Sequence, residues 1–503
     1  MIRIVLSDMQ YKLDIYNILK AIYPDETFDF IEGTTKEKID KYIDSQTTSA
    51  LKVETKSSKI TIEYIYYKTS KWKELEFSID IGPEITTKSQ YKNAMKRQLY
   101  KILKKVSGRL LPWGILTGIR PTKIVYEKIE EGYDDKEITS YMQDEFMCSD
   151  DRIRLSLDIA KRELSLLEDM DYKNGYSLYI GVPFCPSTCL YCSFSSFSME
   201  KHGKYVDDYL KALEKEIEYG GRALPDKSLK TVYIGGGTPT TLSESQLDWL
   251  LGKLKRDFDF SSVKEFSVEA GRPDSISKGK LQVLKKHGVN RISINPQSMN
   301  QKTLDLIGRK HTKDNIIEAF QLARETGHDN INMDLIIGLP GEGLEDVKRT
   351  LSEIEKLDPD SLTVHTLAIK RAARLNHEKD NYQDLRSGDV SSIMDETINY
   401  AKRHNYLPYY LYRQKNMADN LENIGYARYG KEGLYNILIM EEQQTILALG
   451  AGAVSKFVLH DEGDDNKVHR VYNVKGINEY ISRIDEMIER KKDFIEDEFY
   501  LED

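Results

Sequence analysis

Short apolar runs alternate with helical patterns through the middle of the chain. In the helical pattern at 204–219, apolar residues recur at spacings of three and four. The apolar runs, each long enough for one strand, lie at 177–183, 230–234, 264–269, 289–295, 331–337 and 361–367. Strands that alternate with helices are typical of parallel βαβ units. Right-handed crossovers would curl this series into an open or closed α/β barrel, whose active site lies at the carboxyl ends of the strands.

The residues on either side of this series predict further domains. Alternating apolar residues at 58–66 and 75–81 predict two neighbouring strands, and a basic helical pattern runs from Ser89 to about Val106. Pro112, Gly114, Gly118 and Pro121 then break the pattern. After residue 375 we expect a helix at 387–404, a tyrosine-rich strand at 406–414 and an amphipathic helix from Ile477. The predicted domains are an N-terminal α+β domain at 1–108, a helical connector at 109–174, the barrel at 175–375 and a smaller C-terminal α/β domain at 376–503.

Charge and hydropathy exclude several classes of protein. The 73 Lys and Arg residues against 82 Asp and Glu give a net charge of −9, which offers no general attraction for nucleic acid or anionic lipid. No apolar run approaches the roughly 20 residues that a membrane span needs. The amino terminus reaches Asp8 too soon for a secretory signal. We therefore expect a cytoplasmic protein without a membrane span and without nucleic acid as a partner.

The cysteines carry the strongest chemical signal. Three of the four, Cys185, Cys189 and Cys192, form a C-x3-C-x2-C motif directly after the first barrel strand. Three thiolates on one loop can bind three irons of a four-iron cluster and leave the fourth iron open. A zinc site is the alternative, but it would need a fourth ligand, and the nearest histidine is His202. Cys148, which lies far upstream, is expected to be an ordinary buried thiol.

Further polar and glycine residues follow the other strands. A glycine-rich turn, Gly235 to Pro239, ends the second strand, and missing β-carbons there allow close backbone approach to a carboxylate or amine. Four polar residues stand at or after later strands, and they are Glu269, Gln297, Arg309 and Asp334. Singly, each could be a salt bridge, a surface cation or a helix cap. Their joint occurrence in register indicates a site.

In this order the motifs resemble the radical S-adenosylmethionine superfamily. Within it they resemble the oxygen-independent coproporphyrinogen III oxidase family and its heme-chaperone relatives over about 175–460. The segment PWGILTGIRPTK and the long amino-terminal extension resemble the extended branch labelled HemZ. The resemblance implies an α/β fold with a partial (β/α)6 barrel, and a [4Fe-4S] cluster whose open iron chelates S-adenosylmethionine. It also implies that electron transfer into the sulfonium gives a 5′-deoxyadenosyl radical.

The same resemblance implies a cofactor shell. Tyr179 would be the aromatic residue before the Pro-Phe-Cys segment, and Tyr191 would offer backbone contact to adenine. Gly236, Gly237 and Thr238 would hold the methionyl amine. The ribose and the rest of the methionyl group would be held by Glu269, Gln297, Arg309, Asp334 and Ala368.

Three departures from the family pattern keep alternatives open. Gly181 stands where the decarboxylating enzymes have histidine, and Phe194 stands where they have a fourth cysteine. Tyr435-Asn436 replaces the His-Asn pair of the chaperones.

The resemblance implies oxidative decarboxylation of coproporphyrinogen III, with heme transfer or another radical reaction such as anaerobic heme opening as alternatives. The partners would be a tetrapyrrole substrate or heme and an electron donor such as flavodoxin or ferredoxin. Arginine is suited to pairing with the substrate carboxylates, and the candidates are Arg272, Arg371, Arg374 and Arg413.

Overall fold

The computed structural model divides the chain into two compact units. The first comprises Met1–Asp158 and Ala418–Leu421, and the second comprises Ile159–Met417 and Glu422–Asp503. The residues that the structure describes are 1–33, 39–56, 58–68, 71–83, 85–117, 120–168, 170–192, 196–368, 375, 389–413, 421–459 and 467–499. No helix in these ranges is long and apolar enough to cross a membrane.

The first unit contains a five-stranded mixed sheet. Its strands are β1 (Ile2–Leu6), β2 (Phe28–Glu32), β3 (Ser49–Lys56), β4 (Lys59–Lys68) and β5 (Lys71–Asp80). Their spatial order is β2-β1-β3-β4-β5. β1 is parallel to both of its neighbours, β2 and β3, whereas β4 is antiparallel to both β3 and β5. The helices span Lys12–Ile22, Lys88–Ser107, Thr122–Glu130, Asp135–Phe146 and Asp150–Glu168, the last of which continues into the second unit.

Local sequence signals explain the long basic helix of this unit. Thr87 and Gln90 form a reciprocal capping box at its start, and Gly108 ends it in the left-handed conformation with φ of +73°. The predicted helix is therefore confirmed, as are the two strands predicted beside it. In the following segment Trp113 is fully buried, and the Cys148 thiol, also buried, donates to the Trp113 carbonyl at 3.4 Å.

The second unit is built on an eleven-stranded sheet. Its strands are β6 (Gly175–Val182), β9 (Ser228–Gly236), β10 (Glu265–Gly271), β11 (Arg291–Ile294), β12 (Ile331–Ile337), β13 (Ser361–Thr366), β14 (Leu407–Tyr412), β15 (Asn423–Ala427), β16 (Thr445–Leu449), β17 (Val454–Leu459) and β18 (Lys467–Tyr472). Two short strands, β7 (Phe184–Cys185) and β8 (Phe197–Ser198), pair separately. The helices span Met199–His202, Val206–Ala223, Glu244–Asp257, Lys278–Lys286, Gln301–Leu306, Lys313–Glu325, Leu344–Leu357, Val390–Arg403, Leu434–Glu441, Ile477–Ser482 and Ile484–Phe494.

The central strands confirm the predicted partial barrel. β6, β9, β10, β11, β12 and β13 are neighbours in that order, and each adjacent pair is parallel. Helices follow the strands as the βαβ pattern predicts. The sheet is open, because β16 adds to β6 at one side and β15 adds to β13 at the other.

The two faces of the barrel strands differ in polarity. In β9, for example, the apolar Val232 and Ile234 lie on one face, whereas Thr231 and Tyr233 lie on the other; Thr231 is also buried and Tyr233 is half-buried. Polar side chains of that opposite face bond to one another across the sheet. The Thr231 hydroxyl donates to Ser177 at 2.7 Å. The polar face of the sheet thus collects the side chains of a site.

The C-terminal segment, predicted as a smaller domain, belongs to the same compact unit as the barrel. Its strands β14 to β18 extend both edges of the barrel sheet. An open parallel sheet leaves unpaired backbone groups at its edges, and these strands pair with those groups. The helix Ile484–Phe494 of the same segment packs against the helix Val206–Ala223 of the barrel.

Candidate functional site

The cysteine motif forms a compact loop directly after β6. None of the three cysteines forms a disulfide; Cys189 is buried, and Cys185 and Cys192 are half-buried. The Cys192 amide donates to the Cys189 carbonyl at 3.3 Å, which closes a turn. The Leu190 amide donates to the carbonyl of Ile307 at 3.0 Å and anchors the loop to the barrel.

The Cys185 thiol has a raised pKa. Burial raises the pKa of Cys185 to about 11, and the nearby Cys192 and Cys189 thiols act in the same direction. The Thr238 hydroxyl, which donates to the Cys185 sulfur at 3.5 Å, opposes this rise. A bound metal deprotonates a coordinating thiol outright. Cys185 would therefore give up its proton when it binds a metal centre.

The arrangement suits a cluster better than a single ion. In the described parts of the chain, no group of three His, Cys, Asp or Glu side chains converges closely enough to hold one metal ion. Zinc needs four ligands that converge on one point, whereas each thiolate of an iron–sulfur cluster binds a different iron. Three thiols outside any disulfide, on one anchored loop, fit the cluster.

The glycine turn after β9 lies directly against the start of this loop. The Gly237 amide donates to the Val182 carbonyl at 2.8 Å, and the Thr238 amide donates to the Phe184 carbonyl at 2.7 Å. A β-carbon on Gly237 would lie 2.6 Å from the Phe184 oxygen and 2.7 Å from the Val182 oxygen. Gly236 adopts a φ of +100°. Glycine is thus required at this turn. An amine bound here would donate hydrogen bonds to the carbonyl oxygens of the turn.

Three stacked tyrosines line the polar face of the barrel. Tyr233 stacks on Tyr435 with ring centroids 4.5 Å apart and on Tyr179 with centroids 6.1 Å apart. The Tyr233 hydroxyl donates to the Glu269 carboxylate. Burial raises the pKa of Glu269 to about 7, and Asp334 adds to the effect. Glu269 can therefore change its charge near neutral pH.

Asp334 lies on the adjacent part of the same face. Asn332 donates to one of its oxygens at 2.7 Å, and His365 Nε2 lies 3.7 Å from the other. Burial raises the pKa of Asp334, but His365 and Asn332 more than offset it, so the pKa is lower than usual. The two acids Glu269 and Asp334 thus differ in charge state.

Gln297 and Arg309 are positioned by unusual backbone and side-chain contacts. Gln297 has a φ of +67°, and its buried amide oxygen has no hydrogen-bond partner in the described chain. Such an atom points to a missing ligand. Arg309 is 5% exposed and donates to the Asn295 carbonyl at 2.5 Å and to the Tyr191 hydroxyl at 3.2 Å. Ala368 is half-buried and follows β13.

Several of these interactions are missed by sequence reasoning. Tyr233 and His365 carry no motif, but each occupies the polar face of its strand, so the period of two could have found them. Of the arginines proposed for substrate carboxylates, Arg272 and Arg413 are buried. Arg371 and Arg374, like Phe194, lie outside the described residues.

The comparisons with known proteins place this site in a family. The radical SAM superfamily model matches residues 179–354. The chain is 42% identical over 425 residues to the oxygen-independent coproporphyrinogen-III oxidase-like protein HemZ of Bacillus subtilis, which covers 83% of this chain and 84% of that protein. The chain belongs to this HemZ family of radical SAM proteins. A [4Fe-4S] cluster and S-adenosylmethionine are the cofactors of that superfamily and hence of this HemZ relative.

Other known proteins match a smaller part of this chain. The heme chaperone HemW of Bacillus subtilis is 40% identical over 195 residues, which is 39% of this chain and 51% of the chaperone. The solved structure of the coproporphyrinogen III oxidase HemN from Escherichia coli aligns with a TM-score of 0.50 and 24% identity, covering 65% of this chain and 73% of HemN. This likeness shows the fold.

Proposed function

We propose that the protein is an oxygen-independent coproporphyrinogen III dehydrogenase of the cytoplasm. It would convert two propionate side chains of coproporphyrinogen III to vinyl groups and release protoporphyrinogen IX. The observation that carries the proposal is the 42% identity, over 83% of the chain, to a protein named as oxygen-independent coproporphyrinogen-III oxidase-like. The cysteine loop and the two half-buried acids on one barrel face support it.

The residues of the site have distinct proposed roles. Cys185, Cys189 and Cys192 would each hold one iron of the cluster. When bound, the cluster and S-adenosylmethionine supply the radical that removes an unactivated hydrogen. Glu269, in its ionised form, would accept hydrogen bonds from the ribose hydroxyls. The unpartnered Gln297 amide oxygen would accept a hydrogen bond from the cofactor.

The rest of the cofactor shell follows from the same face. The carbonyls of Gly236 and Gly237, with the Thr238 hydroxyl, would take the methionyl amine. Asp334 would complete the ribose and methionyl contacts together with Arg309 and Ala368. The Tyr179 ring would stand beside the glycine turn, since its hydroxyl lies 3.0 Å from the ideal β-carbon position of Gly236. Tyr191 would contact the adenine through its backbone.

The proposed reaction balances for each propionate. One C–H bond breaks at the carbon next to the ring, and the hydrogen atom passes to the cofactor-derived radical. The bond to the carboxylate then breaks, carbon dioxide leaves, and a C=C bond forms. One electron would leave the substrate for a one-electron acceptor, such as an oxidised flavodoxin- or ferredoxin-type protein. A flavodoxin- or ferredoxin-like protein would supply the electron that the cluster needs for each cycle.

The test is an anaerobic assay with the reconstituted full chain. Dithionite, S-adenosylmethionine and coproporphyrinogen III are added, and tetrapyrrole mass and 5′-deoxyadenosine are followed together. The expected result is stepwise loss of one and then two formic-acid equivalents with deoxyadenosine formed. Cys192→Ala should be inactive, whereas Cys148→Ala should retain activity. Deoxyadenosine without any change in tetrapyrrole mass would refute the decarboxylation and favour heme as substrate, as in anaerobic heme opening.

A second candidate is heme binding and transfer. The 40% identity to the heme chaperone HemW favours it. Against it, Tyr435, which replaces the chaperone histidine, is 4% exposed and stacked on Tyr233. Titration of heme into the cluster-loaded protein separates the two candidates. A stoichiometric Soret band together with no deoxyadenosine formation would support the heme carrier.

A further inference from the structure

A buried arginine holds the cysteine loop between its first two cysteines. Arg272 follows β10 and is 3% exposed. Its Nη1 donates to the Ser187 carbonyl at 3.0 Å and to the Ser187 hydroxyl at 2.7 Å. That hydroxyl in turn donates to the Gly308 carbonyl at 3.3 Å. Arg272 thus fixes the middle of the Cys185–Cys189 segment, and it is absent from the set of residues proposed above to touch either cofactor.

The other side of the guanidinium is paired with a carboxylate. Arg272 Nε donates to Asp274 Oδ1 at 2.9 Å, and Nη2 donates to Oδ2 at 2.6 Å. His311 Nδ1 lies 3.7 Å from Asp274 Oδ1. The guanidinium therefore lies between the carboxylate and the loop. The pair is neutral as a whole but presents its positive end to the cysteines.

An oriented ion pair in this place acts on the electron affinity of a cluster. Three thiolates give the cluster site a negative charge, and reduction adds one more. A nearby cation stabilises the reduced form, whereas a nearby anion destabilises it. The effect is large where the charge is buried, as it is for Arg272, and smaller for Asp274, whose side chain is 23% exposed. Net charge and hydrogen bonding are established determinants of iron–sulfur potentials.

We propose that the Arg272–Asp274 pair sets the reduction potential of the cluster, with Arg272 raising it and Asp274 lowering it. Arg272 is a positioning residue that acts in two ways, through its contact with the cysteine loop and through the charge of its own guanidinium. The inference rests on the proposed cluster ligands Cys185, Cys189 and Cys192, and it is independent of the substrate.

The test measures the midpoint potential of the cluster in the reconstituted full-length protein. Redox titration followed by EPR is applied to Arg272→Gln, Arg272→Lys and Asp274→Asn. The control is Arg222→Gln, because Arg222 is an exposed arginine on the helix Val206–Ala223. Arg272→Gln should shift the potential to more negative values and Asp274→Asn to more positive values. Arg272→Lys, which keeps the charge, should lie nearer to the wild type than Arg272→Gln.

Opposite signs for the two members of the pair are the decisive result. A purely structural role would disturb the loop in both variants and would give shifts of the same sign, or none beyond that of Arg222→Gln. Either result overturns the proposal. If Arg272→Gln takes up no iron, Asp274→Asn decides alone, since a zero or negative shift refutes the charge effect. A wild-type protein that binds no iron would instead refute the ligand assignment.

Discussion

The buried ion pair between Lys491 and Glu216 offers a sharp test of how the C-terminal segment supports the barrel. Both side chains are 0% exposed, and Lys491 Nζ lies 2.7 Å from Glu216 Oε1. The other Glu216 oxygen accepts hydrogen bonds from the Tyr480 hydroxyl at 2.5 Å and from the Gly450 amide at 2.7 Å. Burial raises the pKa of Glu216, but Lys491 and these donors more than offset it, so the pKa is lower than usual. Glu216 is therefore ionised at neutral pH.

The variant Lys491→Met leaves this carboxylate buried without its counter-charge. Removal of one partner of a buried pair costs about 3–5 kcal/mol. At about 1.4 kcal/mol per factor of ten, this equals a roughly 100- to 4,000-fold change in the opening equilibrium. The double variant Glu216→Gln/Lys491→Met removes both charges and should recover most of the loss. In the wild type, the contribution of Glu216 is present above its ordinary pKa of 4.5 and is lost as the pH falls through the lower folded pKa.

Peptide-resolved hydrogen exchange is the assay, with peptides from the helices Val206–Ala223 and Ile484–Phe494. Lys491→Met should accelerate exchange in both helices by the factor given above. Lys492→Met is the matched control, because the Lys492 side chain is 44% exposed and lies 3.9 Å from Glu489, and it should change little. Equal acceleration by Lys491→Met and Lys492→Met would refute the reasoning. So would a double variant that exchanges as fast as the single one.

Three further changes test the site itself. Cys185→Ala should abolish cluster assembly, measured as iron content and visible absorption, whereas Cys148→Ala should leave both unchanged; a Cys185→Ala protein with a full iron complement would contradict the ligand assignment. Because the pKa of Glu269 is about 7, the affinity for S-adenosylmethionine should fall up to tenfold per pH unit below 7, and Glu269→Gln should flatten this dependence in equilibrium dialysis. Gly237→Ala should weaken cofactor binding at least tenfold, because its β-carbon would meet the two backbone oxygens described above. Gly252→Ala is the control and should bind the cofactor normally, because the atom nearest to its β-carbon is a flexible arginine terminus at 3.4 Å. Equal affinities for the two variants would show that the turn tolerates a β-carbon.

Part of this architecture could be predicted because its signals are local. The alternation of apolar runs and helical patterns marks the six barrel strands, and the parallel βαβ rule then brings their carboxyl ends together. Since side chains alternate between the two faces of a strand, Glu269 and Asp334 come to the same face once their strands are placed. The cysteine motif is likewise contained in eight consecutive residues.

Tertiary structure decided the features that depend on distant partners. Lys491 pairs with Glu216 across 275 positions, and Arg272 reaches Ser187 across 85. No local period encodes such pairings, because they depend on which elements pack together and on which charges lose water in doing so. The pairings at the sheet edges are a further example. β15 pairs with β13 and β16 pairs with β6, which satisfies the backbone groups that these barrel strands would otherwise expose. The sequence by itself thus determined the strands and the cysteine loop, whereas packing alone decided the ion pairs and the strand pairings that hold them in place.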